Sequence, residues 1–250
     1  SIFCSDERTR RFLAAQGRER DWHPLCADPG ASYDDVVEID LSTLEPLVAQ
    51  PHSPDNVAPV SALAGQSISQ VCIGSCTNSS VADLEMVAAI LRGKTAHRDV
   101  SLTVSPGSKQ ALTMIARSGA LADLVAAGAR ILEASCGPCL GMGQAPGSGA
   151  VTLRSFNRNF RGRSGTPDAL IYLAGAEVCA ASALTGTITD PRTLGEPPLV
   201  SAPARYLVDD NLIIRLPEDG TAVEIVRGPN IRPLTTRGPL QDTIRAPALL

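Results

Sequence analysis

Aromatic residues are scarce in this chain: four Phe, three Tyr and one Trp, 3% of 250 residues. That scarcity argues against an aromatic-rich sandwich. The 44% of hydrophobic residues must pack mainly as Ala, Val, Leu and Ile, which suits helices laid on buried strands. A basic excess is also missing, since 22 Lys and Arg face 26 Asp and Glu and leave a net charge of −4. Such a chain offers no field for nucleic acid and no polybasic membrane patch. No apolar run approaches the roughly 20 residues that a membrane helix needs, and no leader-like stretch opens the sequence.

What the chain does have is cysteine: Cys4, Cys26, Cys72, Cys76, Cys136, Cys139 and Cys179. An odd number of thiols, in a chain with ample apolar residues for a core, predicts reduced cysteines and a cytoplasmic setting. Cys136-Gly137-Pro138-Cys139 follows the apolar run Ala129–Ala134 and precedes a glycine-rich segment, Gly141–Gly147. A Cys-x-x-Cys pair by itself serves zinc sites, thiol-disulfide exchange and iron–sulfur centres alike.

The pattern around these cysteines narrows the choice of fold. Before residue 50 it is irregular: Ser5 or Asp6 can cap a short helix through Phe12-Leu13-Ala14, Asp28-Pro29-Gly30 reads as a turn, and Val36–Leu41 alternates like a strand. Prolines in Gln50–Asn56 forbid regular structure and mark a boundary. From Gln70 onward, short apolar runs alternate with helical segments. Strands are predicted at Val71–Gly74, Val100–Val104, Ala129–Ala134, Val151–Phe156 and Ala169–Ala174. Helices are predicted at Val81–Leu91, through Met114 to Arg117, at Leu121–Ala127 and at Glu177–Leu184, the last closed by Gly186. This is an α/β arrangement on a largely parallel sheet.

Cys76 then follows the first of these strands, Cys136 and Cys139 the third, and Asn157-Arg158-Asn159 the fourth. Ligands of open parallel sheets bind where such loops converge, beyond the carboxyl ends of the strands. Three thiolates there would leave a metal centre one position without a protein ligand, which is what Lewis-acid chemistry requires. Arg158 and Arg163 could clamp carboxylates, and the amide of Asn157 could donate to a cluster sulfide. Cys72 alternates away from Cys76 and reads as a core residue. Ser105-Pro106-Gly107-Ser108-Lys109 reads as a turn and helix cap that also lines a pocket, lacking the spacing of a phosphate loop.

Three ordered segments, Ile73-Gly74-Ser75-Cys76-Thr77-Asn78-Ser79, Cys136–Gly141 and Asn157–Arg163, resemble the cluster-binding part of the aconitase and isopropylmalate dehydratase superfamily. The resemblance covers about Ser1 to Arg192. It implies a three-layer α/β/α iron–sulfur domain in which Cys76, Cys136 and Cys139 hold a [4Fe-4S] cluster. It also implies that Asn157 lies beside the cluster and that Arg158 and Arg163 bind a hydroxy-carboxylate substrate. The implied reaction moves a hydroxyl between adjacent carbons by dehydration and rehydration. Ser1-Ile2-Phe3, Ser5–Arg8 and His52-Ser53-Pro54-Asp55 look more like the aconitase branch, so citrate-to-isocitrate isomerisation is expected, with isopropylmalate or homoaconitate dehydration as the alternative. Cys4 and Cys179 stand where non-ligand residues are expected.

The resemblance divides the chain into a subdomain tail (1–60), a cluster-binding domain (61–195) and a linker (196–250) with one strand at Val223–Val226. Starting at Ser1 without Met and stopping at Leu250, the chain reads as a fragment, with the acid/base groups and a swivel domain supplied from elsewhere. Two other classes compete. Cys136 and Cys139 match the thioredoxin redox tetrapeptide, but Ser135 replaces its tryptophan and glycines interrupt the helix that should follow. A closed zinc module is disfavoured, because three well-placed thiols have no nearby histidine to complete four ligands.

Overall fold

The computed structural model describes residues 3–221, 223, 224, 226–232 and 238. Contacts divide the chain into two units, Ser1–Asp209 and Asp210–Leu250. Every helix and strand given below lies in the first. The described residues of the second form no helix or strand; Val223, Glu224 and Val226 are irregular where a strand was predicted, and Ile225 lies outside the described residues.

Local signals decide where the elements start and stop. Helix α1 (Glu7–Ala15) is capped by Asp6, whose carboxylate accepts from the backbone N–H of Arg8 and Thr9 at 2.9 and 3.0 Å. After a hairpin of β1 (Leu47–Ala49) and β2 (Val57–Pro59), the short α2 (Val60–Leu63) leads to β3 (Gln70–Gly74). Ser80 and Asp83 form a reciprocal capping box at the start of α3 (Val81–Leu91). β4 (Ser101–Ser105) precedes α4 (Lys109–Ser118), which breaks at Gly119 and resumes as α5 (Ala120–Ala126). β5 (Arg130–Ile131), β6 (Val151–Arg154) and β7 (Leu170–Ala174) follow, and α6 (Ala176–Thr185) ends at a left-handed Gly186.

The seven strands form one sheet in the order β2-β1-β7-β6-β3-β4-β5. β3 pairs in parallel with both β4 and β6, β4 with β5, and β6 with β7; only the β1–β2 hairpin joins antiparallel. The expected α/β fold with a largely parallel sheet is thus present. From β3 the chain moves outward through β4 and β5, then crosses back to β6 and moves the other way to β7. The switch point therefore lies between β3 and β6, and the crevice for a ligand opens beyond their carboxyl ends.

The predicted strand at Val36–Leu41 is absent. Val36, Val37, Ile39 and Leu41 are 64–79% exposed and irregular, because no neighbouring strand among the described residues takes up their backbone groups and alternation alone cannot stabilise an isolated strand. The first two strands of the sheet are instead Leu47–Ala49 and Val57–Pro59, on either side of the proline-containing turn.

Successive residues of β3 serve two layers. Val71 and Ile73 enter the main core with Leu84, Val87 and Leu91 of α3 and with Val178 and Cys179 of α6. Cys72 faces the other side of the sheet and packs with Phe156, Ile171 and Leu173, against which Cys139 also lies. That second face also buries Gln70, Thr152 and Arg154, an unusually polar set for a parallel sheet.

Candidate metal centre

The turn after β3 presents Cys76. Gly74 has φ of 125°, and a Cβ there would stand 2.0 Å from the carbonyl oxygen of Ser105, so glycine is required where β3 and β4 come closest. Ser75 follows with φ of 95°, a conformation rarely held by non-glycine residues outside functional turns. It is held by its neighbours: its buried hydroxyl accepts from the N–H groups of Thr77 and Asn78 at 3.3 Å, and its carbonyl accepts from the Ser79 hydroxyl at 2.7 Å. The result is an exposed Cys76 thiol above the crevice, 3.6 Å from Thr77 Oγ1.

Cys136 and Cys139 arrive from the far edge of the sheet. Beyond β5, Leu132 N–H donates to the Val104 carbonyl at 2.8 Å and Ser105 Oγ donates to the Glu133 carbonyl at 3.0 Å, which draws the segment back along β4. A single turn at Pro138–Leu140 ends at Gly141, whose φ is 88° and where a Cβ would stand 2.0 Å from the Ser164 carbonyl oxygen. Cys136 ends 3.8 Å, sulfur to sulfur, from Cys76, and its S–H donates to the Cys76 sulfur. Cys139 is half-buried between them and the Cys72 cluster.

The loop after β6 closes the third side. Asn157 donates to Thr77 Oγ1 at 3.1 Å and accepts from Asn78 Nδ2 at 2.9 Å, so it is tied to the turn that carries Cys76. Asn78 also donates to the Ser155 carbonyl at 2.6 Å. Arg163 is half-buried over the Phe160 ring at 5.7 Å, and its charge acts on both Cys136 and Cys139. Arg158 is exposed, with no hydrogen bond or ion pair among the described residues. The structure therefore brings Cys76, Cys136, Cys139, Asn157 and Arg163 together and leaves Arg158 at the rim.

Sequence reasoning missed Arg154. The last residue of β6 is fully buried, and its guanidinium donates to the carbonyls of Pro138 and Gln144, both at 2.8 Å, and to Gln70 Oε1 at 2.7 Å. A charged residue inside an otherwise buried parallel strand was the signal that could have singled it out.

The three thiols differ electrostatically. The Thr77 hydroxyl and the Cys136 S–H lower the pKa of Cys76. Cys136 is pushed up by that same hydrogen bond and by the charge on Cys76, with Arg163 opposing. Cys139 is pushed up chiefly by burial and then by Cys136, with Arg163 and Arg154 opposing. Burial raises Cys72 and raises Cys179 further, as befits core thiols; Cys4 and Cys26 are exposed elsewhere. Among the described residues no three His, Cys, Asp or Glu side chains converge tightly enough to share one metal ion. Thiolates that each take a separate metal of a cluster need no such convergence. Beside Cys76 opens a cavity of about 430 Å³ whose apolar lining includes Phe12, Val81, Met114 and Tyr206, with Gly107 and Ser108 on its polar side. Among the described residues, no helix is long and apolar enough to cross a membrane.

Residues 1–186 match the model of the aconitase family (aconitate hydratase). Among curated proteins, the chain is 44% identical over 192 residues to 3-isopropylmalate dehydratase large subunit 2 of Archaeoglobus fulgidus, covering 76% of this chain and 46% of that protein. It is 46% identical over 194 residues to 3-isopropylmalate dehydratase large subunit 1 of Thermotoga maritima, with the same shares. A third relative, large subunit 2 of the same enzyme from Rubrobacter xylanophilus, is 44% identical over 201 residues, 79% of this chain and 47% of that protein. The chain thus spans about half the length of the curated relatives it matches.

Proposed function

From the premise that this chain belongs to the aconitase family, we propose that it is the cluster-bearing portion of an iron–sulfur hydro-lyase acting on a hydroxy-dicarboxylate of the isopropylmalate type. The reaction is dehydration and rehydration, which shifts a hydroxyl between neighbouring carbons. The observation that carries this reading is the 3.8 Å approach of Cys76 and Cys136 at the switch point of the sheet, with Cys139 near enough for the charges of both to act on it and Arg163 acting on Cys136 and Cys139. Three soft thiolates without a histidine at hand as a fourth ligand fit an iron–sulfur cluster better than a closed zinc site. When bound, a [4Fe-4S] cluster supplies Lewis-acid polarisation of a substrate oxygen at the metal that no cysteine occupies.

The chain's own residues do the rest. Arg163 offers a guanidinium fork to a substrate carboxylate, and Arg158, exposed at the rim, closes on a second. Asn157 holds the Cys76 turn through Thr77, and its amide stands beside that thiol's hydroxyl partner. The group that removes the proton next to the departing hydroxyl comes from a region beyond this chain. The relatives are named large subunits, which supports a small-subunit partner as one source. The isolated chain would therefore bind the cluster without turning over substrate.

The names of the relatives favour isopropylmalate over the citrate expected from the sequence, and the cavity beside Cys76 has room for its alkyl group. In that cavity Phe12, Val81 and Met114 suit a branched alkyl group, while the hydroxyls of Thr77, Ser79, Ser80 and Ser108 suit carboxylates. The test is anaerobic reconstitution of the chain and of Cys76→Ser with iron and sulfide. About four irons per chain, lost in the variant, is expected; equal iron in both would refute the three-thiolate site. Adding isopropylmalate should then perturb the spectrum of the reconstituted cluster at concentrations where citrate does not. The reverse preference would return the citrate reading.

A further inference from the structure

Arg154 is a buried cation whose hydrogen-bond partners are all neutral. Its donors reach the Pro138 and Gln144 carbonyls, Gln70 Oε1 and, at 3.3 Å, Thr152 Oγ1, while Phe156 lies 5.5 Å from the guanidinium carbon. Gln70, Thr152 and Gln144 are themselves buried and joined to one another: Thr152 Oγ1 donates to Gln70 Oε1 at 2.9 Å, and Gln70 Nε2 donates to Gln144 Oε1 at 3.2 Å. No carboxylate pairs with it among the described residues; the ionisable groups that act on it are the thiols of Cys72 and Cys139. Burying a guanidinium is costly unless its hydrogen bonds are made and an anion offsets its charge. Here two of the four hydrogen bonds are made to one particular object, the segment that carries Cys139, and the other two tie the guanidinium to β3 and β6.

The geometry of those bonds is that of a clamp. Pro138 and Gln144 stand at the two ends of the turn containing Cys139, and one planar fork holds both carbonyls from beneath, anchored to β6 on one side and through Gln70 to β3 on the other. We propose that Arg154 is a positioning residue that holds the 138–144 turn in its ligand-presenting shape before any metal arrives, and keeps a positive charge beneath Cys139. The part concerning metal rests on the cluster reading above; the part concerning the turn does not. Lysine would keep the charge and lose the fork, because an ammonium is a point donor that cannot hold two separated carbonyls in one plane.

Hydrogen exchange of the metal-free protein tests the clamp directly. In the parent chain, the amides of Gly141, Met142 and Gln144, which donate to Pro138, Gly137 and Gly141, should be protected before any iron is added. Exchange at the rate of an unstructured loop would overturn the proposal without any variant. In Arg154→Lys and Arg154→Met those amides should exchange at least about 10- to 100-fold faster, the loss expected for even one buried hydrogen bond from a charged donor. The amides of β4 should stay at the parent rate. Unchanged exchange of the turn in a folded variant also refutes the clamp.

Anaerobic iron uptake then separates the two claims. With the clamp lost, both variants should take up iron more slowly than the parent, and Arg154→Met, lacking the charge, should retain less of it than Arg154→Lys. Equal retention by Arg154→Lys and Arg154→Met would sink the charge claim, and uptake by both at the parent rate would sink the claim that the clamp presents the ligand. No iron even in the parent would instead refute the cluster reading, leaving the exchange result to decide the clamp.

Discussion

Thiol by thiol, the site is not symmetric. Cys76 sits at a turn strained at Ser75, receives a hydrogen bond from Cys136 and has a lowered pKa, whereas Cys136 and Cys139 are both raised. A thiolate is the reactive form, so a lower pKa means a larger reactive fraction at a given pH. Iodoacetamide at near-neutral pH should therefore label Cys76 before Cys136 or Cys139 in the metal-free chain, an order that peptide mass spectrometry reads directly. Raising the pH toward the ordinary thiol range should narrow the difference, as the two raised thiols ionise in turn. The same geometry separates this site from a thioredoxin-like one. Mild diamide oxidation, in which two thiols surrender two protons and two electrons to the diazene, should join Cys76 to Cys136, whose sulfurs are 3.8 Å apart. A Cys136–Cys139 disulfide as the main product would favour the redox reading instead.

Elements position these residues by their ends more than by their faces. β3 stops at Gly74 because the close approach of Ser105 admits no side chain, and α3 starts seven residues later, just after its cap Ser80, leaving a short turn from which Cys76 projects. Removing the cap should loosen the start of α3 and with it that turn. Ser80→Ala is expected to cost about 1 kcal/mol, measured as a lower urea midpoint with an unchanged slope. An unchanged midpoint would mean that tertiary packing of Val81 and Leu84, both buried, already holds the helix start. Gly141 plays the matching part for the second cysteine loop, since its left-handed turn lets the Ser164 carbonyl pack against it and so seats the segment carrying Arg163 beside Cys139.

For the whole chain, the residues up to Asp209 form a unit with its own sheet and core, and the described residues beyond it add no helix or strand. Lys109 pairs with Asp209 at 3.3 Å and Gln110 donates to the Asp209 carbonyl at 3.1 Å, so the first unit keeps its own last contacts. A chain ending at Asp209 should thus fold by itself, with one cooperative urea transition and protected amides in β3, β4 and β6. Loss of that transition would show that the sheet and core of this unit do not suffice for folding.

Much of this was legible from residue order alone. Apolar runs and helical spacing predicted five of the seven strands within one or two residues at most ends, because period and capping chemistry act over a few neighbouring residues. The β5 prediction was longer than the strand, since the segment bends away after Ile131 to follow β4. β1 and β2 were missed because three-residue strands leave too short a pattern, and Val36–Leu41 was mistaken for a strand because alternation says nothing about whether a partner exists. The cysteine positions after strands were equally plain. The sequence by itself thus determined the α/β class, the element order and the residues that stand at strand ends. Strand order belongs to the tertiary structure, because pairing and crossover are decided by packing among segments distant in sequence. Only β3 lying between β4 and β6 brings Cys76 to Cys136 across 60 residues and Thr77 to Asn157 across 80. The same holds for Arg154, whose place in a buried strand is visible in the sequence but whose partners are not. Its burial follows from the returning cysteine loop, whose carbonyls supply the hydrogen bonds that make a buried guanidinium tolerable.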